Sequence, residues 1–232
     1  MEKISIIKIL KNTFLLPWNN RLLYSKTLVI PIMLLISVLI IWMVVSTNNT
    51  GLNFLFYFLD VLASGYLTIV IHKLVLAENK GTKSIIFLKS GIFSRFIVTM
   101  VIVTVIAIIT VWSTVSILIN FVDFEPNSHL FPVLFMYIFA RFCLVFPAIA
   151  LGFKPRLIWS WRETKENQFR IFFIVAIFPW IMSLILEQFY WINTTIIVYV
   201  ITNMLSYICV ALGIIAISLT YKELYHIQSQ KE

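Results

Sequence analysis

Apolar residues run along this chain in six long stretches, at 27–45, 54–77, 96–119, 130–151, 170–186 and 195–219, with short polar connections between them. Each approaches the ~20 helical residues that cross a ~30 Å hydrocarbon layer. The runs are unbroken, as from Ile97 to Val111, and lack the dyad alternation of an outer-membrane barrel. This pattern predicts an all-α membrane protein, with six transmembrane helices in one polytopic domain over residues 1–232.

Shorter amphipathic segments precede alternate spans. In the arm at 1–26, Ser5, Lys8, Lys11 and Asn12 share one helical face, and Ile6, Ile7, Leu10 and Phe14 the other. At 82–94, Ile85, Leu88 and Ile92 follow helical spacing, with Lys83 and Ser90 turned away. The third segment opens with Pro155 at a predicted first helical position and sets Leu157, Ile158 and Trp161 against Arg162, Lys165 and Glu166. Such helices lie in the headgroup plane, through apolar burial and attraction of Lys and Arg to anionic lipid.

Charge orients the bundle. Seventeen of the eighteen Lys and Arg residues flank the spans on one side, giving +11 there (seventeen bases less six acids) against −3 on the other. Connections 46–53, 120–129 and 187–193 contain no Lys or Arg. By the positive-inside rule both termini are expected to be cytoplasmic, with multi-pass insertion. The net charge of +8 thus reads as topology and attraction to anionic headgroups. Nucleic acid is excluded as a partner, because the charge is spread around membrane edges and not massed on one surface.

Composition strengthens the reading. At 61% hydrophobic and 12% charged, the chain has about half the charge of ordinary soluble proteins, where roughly a quarter of residues are charged. The first stretch ends without a small-x-small cleavage site and reads as a retained anchor. Trp42, Tyr57, Tyr190 and Trp191 fall near the outer interface, and Trp18, Tyr24, Trp159, Tyr221 and Tyr225 near the inner one. Asn48-Asn49-Thr50 and Asn193-Thr194-Thr195 match the glycosylation pattern, though each almost touches the membrane.

The chain reads as one unit used three times, with a plain succession of regular hairpins as the alternative. Each begins with an amphipathic stretch and an arginine at the membrane edge, then makes a hairpin of two spans. The arginines are Arg21, Arg95 and Arg170, spaced by 74 and 75 residues. Units of two spans share one orientation, as parallel repeats about the membrane normal do.

Chemistry is sparse. Asp60 and Arg141 are the two ionisable residues inside spans, at comparable depth, and a lone charge there costs at least ~2.5 kcal/mol. They are therefore expected to pair, with Asn203, Ser113 and Ser116 completing an intramembrane polar cluster. The pair serves either as a structural clasp or as part of a solute path. His72 and Lys73, with Arg21, Arg95 and Arg170, are candidate contacts for lipid headgroups. No metal-ligand set, cofactor motif or catalytic signature is evident, and the expectation is a non-enzymatic protein. Cys143 and Cys209 read as small core residues. Pro147 and Pro179 each remove a helical hydrogen bond, so kinks are predicted there. Ala148/Gly152 and Cys209/Gly213 are small-xxx-small pairs that favour close helix approach.

The run from Ala140 through Arg141 and Pro147 to Gly152, followed by Trp161-Arg162-Glu163-Thr164, Asn167-Gln168-Phe169-Arg170 and the exit Leu219-Thr220-Tyr221-Lys222-Glu223-Leu224, resembles a signature of bacterial six-helix membrane proteins. These are the YciC-type uncharacterised proteins, similar in turn to the membrane domain of some glycerophosphodiester phosphodiesterases. The resemblance implies a bacterial inner-membrane location and carries over no catalytic residue. The expected role is organisation of lipid, or of a membrane or cytoplasmic protein partner, at the cytoplasmic face. The alternative is a small-solute or lipid permease built on Asp60 and Arg141.

Overall fold

The structure, a computed structural model, describes residues 4–45, 50–76, 90–122, 130–192 and 196–229, and among these it is helical with no strand. Asn48 and Asn49 of the first glycosylation pattern, the whole of the second, the amphipathic segment up to residue 89 and His129 lie outside the described residues. Helix α1 (Ile6–Asn19) is capped by Ser5, whose hydroxyl accepts from the Lys8 amide at 3.4 Å. Its sides divide three ways, where the sequence predicts two. Ile9 and Thr13 are buried against the protein, Lys8 and Asn19 lie on a polar side, and Ile7, Phe14 and Trp18 stay exposed.

Among the described residues, five helices are long and apolar enough to cross a membrane: Arg21–Trp42, Thr50–Leu76, Gly91–Ile117, Lys165–Leu186 and Ile201–Tyr225. They belong to α2 (Arg21–Val45), α3 (Thr50–Leu76), α4 (Ser90–Val122), the composite fifth rod and the final helix. Exposed Val98, Val101, Ile109 and Trp112 along α4 are surface that only hydrocarbon suits.

The predicted span at 130–151 is not one helix. It is α5 (Leu130–Phe142) and α6 (Val145–Ala150), parted by a turn at Cys143-Leu144. Pro147 has no N–H for the Cys143 carbonyl, which accepts instead from the Phe146 amide at 3.4 Å. After α6, Gly152 takes φ +96°, and the chain closes with Phe153 N–H to Ala148 O at 3.0 Å and Gly152 N–H to Ile149 O at 2.8 Å. That double closure needs the left-handed conformation glycine adopts without strain. Gly152 is therefore a helix stop and not a packing contact, since nothing lies within 4 Å of where its Cβ would be.

The chain then forms α7 (Leu157–Glu163), a 3₁₀ turn (Lys165–Asn167), α8 (Gln168–Phe172), a π turn (Phe173–Ile177) and α9 (Phe178–Ile192). Arg156 is the extended N-cap residue of α7, so Pro155 sits one place before the cap instead of at the first helical position. Just before Pro179, where a kink is expected, the helix widens into the π turn: the Phe178 amide bonds back to the Phe173 carbonyl, five residues away. Opposite it, Gly213 of α10 (Ile196–Ser229) would place a Cβ 3.3 Å from the Pro179 ring. That small residue does serve close approach, as its sequence spacing predicts.

Burial concentrates where α3, α6 and α10 meet. Ile69, Val70 and Ile71, Cys143 to Ala150, and Ile214 to Ala216 are nearly inaccessible. Toward their other ends the same rods open, with Phe54, Tyr57, Ile201 and Ile208 exposed. The core thus lies toward the end that carries α1 and α7.

Candidate functional site

Arg141 does not meet Asp60. It is 4% exposed, its Nη2 donates to the Trp161 carbonyl at 2.7 Å, and its Nη1 to Gln168 Oε1 at 3.4 Å. The guanidinium lies 4.4 Å from the centre of the Trp161 ring, a cation–π contact. The Arg141 carbonyl, near the end of α5, accepts from Ser160 Oγ at 2.9 Å and Thr164 Oγ1 at 3.3 Å. One residue therefore fastens α7 through both its backbone and its side chain. The expected Asp60 pairing fails on direction: depth along two helices fixes one coordinate, and rotation about their axes the other. Helix α5 packs against α4, α7 and α8, while α3 packs against α2, α4, α6 and α10.

Asp60 and Asn203 do come together. They line a cavity of about 230 Å³ between α2, α3 and α10, shared with Trp42, Phe56, Tyr57 and Tyr207. Tyr207 hydrogen-bonds the Asp60 carboxylate. Ser113 and Ser116 are exposed on α4 and take no part in that lining. The sequence places Trp42 and Tyr57 as interface anchors and passes over Tyr207. The signal was present, since Phe56/Asp60 and Asn203/Tyr207 are i, i+4 pairs that put each couple on one helix face.

His72, expected at the headgroups, is turned into the core at 1% exposure, with Nδ1 2.7 Å from Ser218 Oγ. The Ser218 hydroxyl donates to the Ile214 carbonyl at 2.9 Å, which uses its one hydrogen. His72 ties α3 to α10 and has no route to a headgroup. Lys73 beside it is half-buried, and Arg21 is exposed.

The other two edge arginines act on the backbone. Arg95 Nε donates to the Gly91 carbonyl at 2.7 Å, and its Nη1 to the Phe153 carbonyl at 3.4 Å. Arg170 Nη1 donates to the Ile4 carbonyl, while the Ile4 amide donates to Asn167 Oδ1 at 3.2 Å. Lys8 adds an ion pair with Glu223 at 2.8 Å. The start of α1 is thereby moored to the 3₁₀ turn, to α8 and to the end of α10.

Beside α7 is a second cavity, of about 680 Å³. Lys154, Arg156 and Arg162 supply three cations to its wall, Glu163 one carboxylate, and Trp159, Tyr221 and Tyr225 aromatic surface. Tyr221 and Tyr225 stack at 6.3 Å, and Trp159 meets Tyr221 edge-on at 6.3 Å. The three basic side chains are exposed. Cation and ring together suit an anionic group joined to apolar chains. No family model, curated protein or solved structure matches this chain.

Proposed function

We propose that this chain is a non-enzymatic, multi-pass protein of a bacterial inner membrane that seats anionic phospholipid at its cytoplasmic edge. The lipid site then organises lipid, or a membrane or cytoplasmic protein partner. The observation that carries the reading is the cavity beside α7, where three cations and three aromatic rings converge at the basic end of the bundle. Near an anionic leaflet each Lys or Arg contributes about 1 kcal/mol, so three supply about a hundredfold preference.

A threefold repeat of helical hairpins, with α5 and α6 together as a broken sixth span, is the architecture proposed with it. Two bonds support the repeat. Arg95 reaches Phe153, which precedes Arg170 by 17 residues, and Arg170 reaches Ile4, which precedes Arg21 by the same 17. Each arginine of the second and third units thus latches the entry of the next unit around a ring. The resemblance to YciC-type proteins agrees with the membrane placement and adds no activity.

The test is lipid retention. In nanodiscs of mixed phosphatidylglycerol and phosphatidylcholine, native mass spectrometry of the full chain should find phosphatidylglycerol retained. Replacing Lys154, Arg156 and Arg162 together by glutamine should cut that preference at least tenfold, with the thermal midpoint unchanged. Soluble glycerol phosphate should compete poorly, because it brings no acyl chain to the aromatic wall. An unaltered preference in the triple variant contradicts the proposal, and so does equal competition by glycerol phosphate.

A further inference from the structure

The cavity at Asp60 has the chemistry of a different ligand, at the end of the bundle away from the basic edge. Its lining holds one carboxylate, one amide and four aromatic side chains, and no lysine, arginine or histidine. Arg141, the intramembrane cation, is committed to Trp161 and Gln168. Tyr207 hydrogen-bonds the carboxylate, which when ionised has about four acceptor sites. A carboxylate that stays ionised among apolar helices needs a positive partner, and among the described residues the lining of this cavity supplies none.

Divalent metal is a poor fit. Calcium takes six to eight oxygens at close range, and the described residues contain no group of three or more His, Cys, Asp or Glu able to hold a metal. Aromatic side chains around one carboxylate are instead the surroundings that favour an organic ammonium, through charge and cation–π attraction together. Size narrows the class further. At about 230 Å³ the space is below the ~300–1,000 Å³ usual for drug-sized ligands.

We propose that Asp60, Trp42, Tyr57 and Tyr207 form a binding site for a small organic ammonium ion bearing an apolar group. The ammonium sits against the Asp60 carboxylate, Asn203 adds an amide beside it, and the apolar body lies along Trp42 and Phe56. Tyr57, 69% exposed, stands at the edge of the cavity.

The experiment measures binding of radiolabelled 2-phenylethylammonium, and of neutral 2-phenylethanol, to the purified full chain in nanodiscs. The cation should bind saturably, and the alcohol at least tenfold more weakly. Asp60→Asn keeps shape and polarity while removing charge, and should weaken the cation at least tenfold without improving the alcohol. Trp42→Leu should weaken the cation severalfold, and it decides the matter together with the alcohol comparison if Asp60→Asn proves unstable. Equal binding of cation and alcohol overturns the proposal, as does undiminished binding in both variants or no saturable binding to the unaltered chain. Phosphatidylglycerol retention should be the same in all three proteins, because the two cavities share no residue.

Discussion

Arg141 shows how much one residue can fasten. Its guanidinium holds the Trp161 carbonyl and stacks on the same residue's ring, while its own carbonyl is held by Ser160 and Thr164. Arg141→Ala leaves the Trp161 carbonyl without that donor and opens space in the core, a loss of about 3 kcal/mol. Thermal unfolding in detergent should show a clearly lower midpoint. Asp60→Asn should not share that effect. In a double-mutant cycle the two substitutions should add to within about 0.5 kcal/mol, and a larger coupling would mean the two charges do communicate. At Gly152 the requirement is backbone conformation, φ +96°. Gly152→Ala should cost about 1–2 kcal/mol through left-handed strain alone, read as a lower midpoint. What was legible at this scale was which residues must be special. Apolar context singles out Asp60 and Arg141, but rotation about a helix axis leaves no trace in a list of depths. His72 misled for a related reason: its place at the end of an apolar run says nothing about which side its ring faces.

Between elements, the two prolines did what their missing N–H groups dictate. Pro147 parts α5 from α6, and Pro179 is preceded by the π turn. The sequence could place these irregularities but not their geometry, since a helix can answer a lost bond by kinking, by widening one turn or by stopping. At 130–151 it stopped, so among the described residues five rods are span-length where hydropathy alone counts six. Helix α1 gives a similar lesson. Its polar face was readable, but the division of its apolar residues between core and surroundings depends on α10, which is distant in sequence. Two tests belong here. Lys8 is 59% exposed in its ion pair with Glu223, so Lys8→Glu should cost less than about 1 kcal/mol. Amide exchange in α1 should quicken, and Glu223→Lys in the same chain should slow it again. Gly213→Leu forces a side chain onto the Pro179 ring, already 3.3 Å from a single added carbon. Overpacking of about 1–3 kcal/mol should follow, visible as a lower midpoint and slower spectrometric recovery of the folded form.

For the molecule as a whole, charge carries the argument. The wall of the 680 Å³ cavity is built from bases of the 154–162 segment, part of the seventeen that sequence alone assigns to one edge. Of its aromatic residues, Trp159 belongs to that same segment, whereas Tyr221 and Tyr225 come from α10, about sixty residues later; all three read as inner-interface residues in the sequence, but their meeting in one wall did not. The basic edge is proposed to face the cytosol from a bilayer that surrounds the helices. Replace Cys143 and Cys209 by alanine, introduce single cysteines at Lys11, Arg156 or Asn53, and treat intact cells with a membrane-impermeant maleimide. Cysteines at 11 and 156 should react only after the membrane is permeabilised, and the one at 53 should react before. Labelling at 11 or 156 in sealed cells, or a chain recovered in the detergent-free soluble fraction, would contradict that placement.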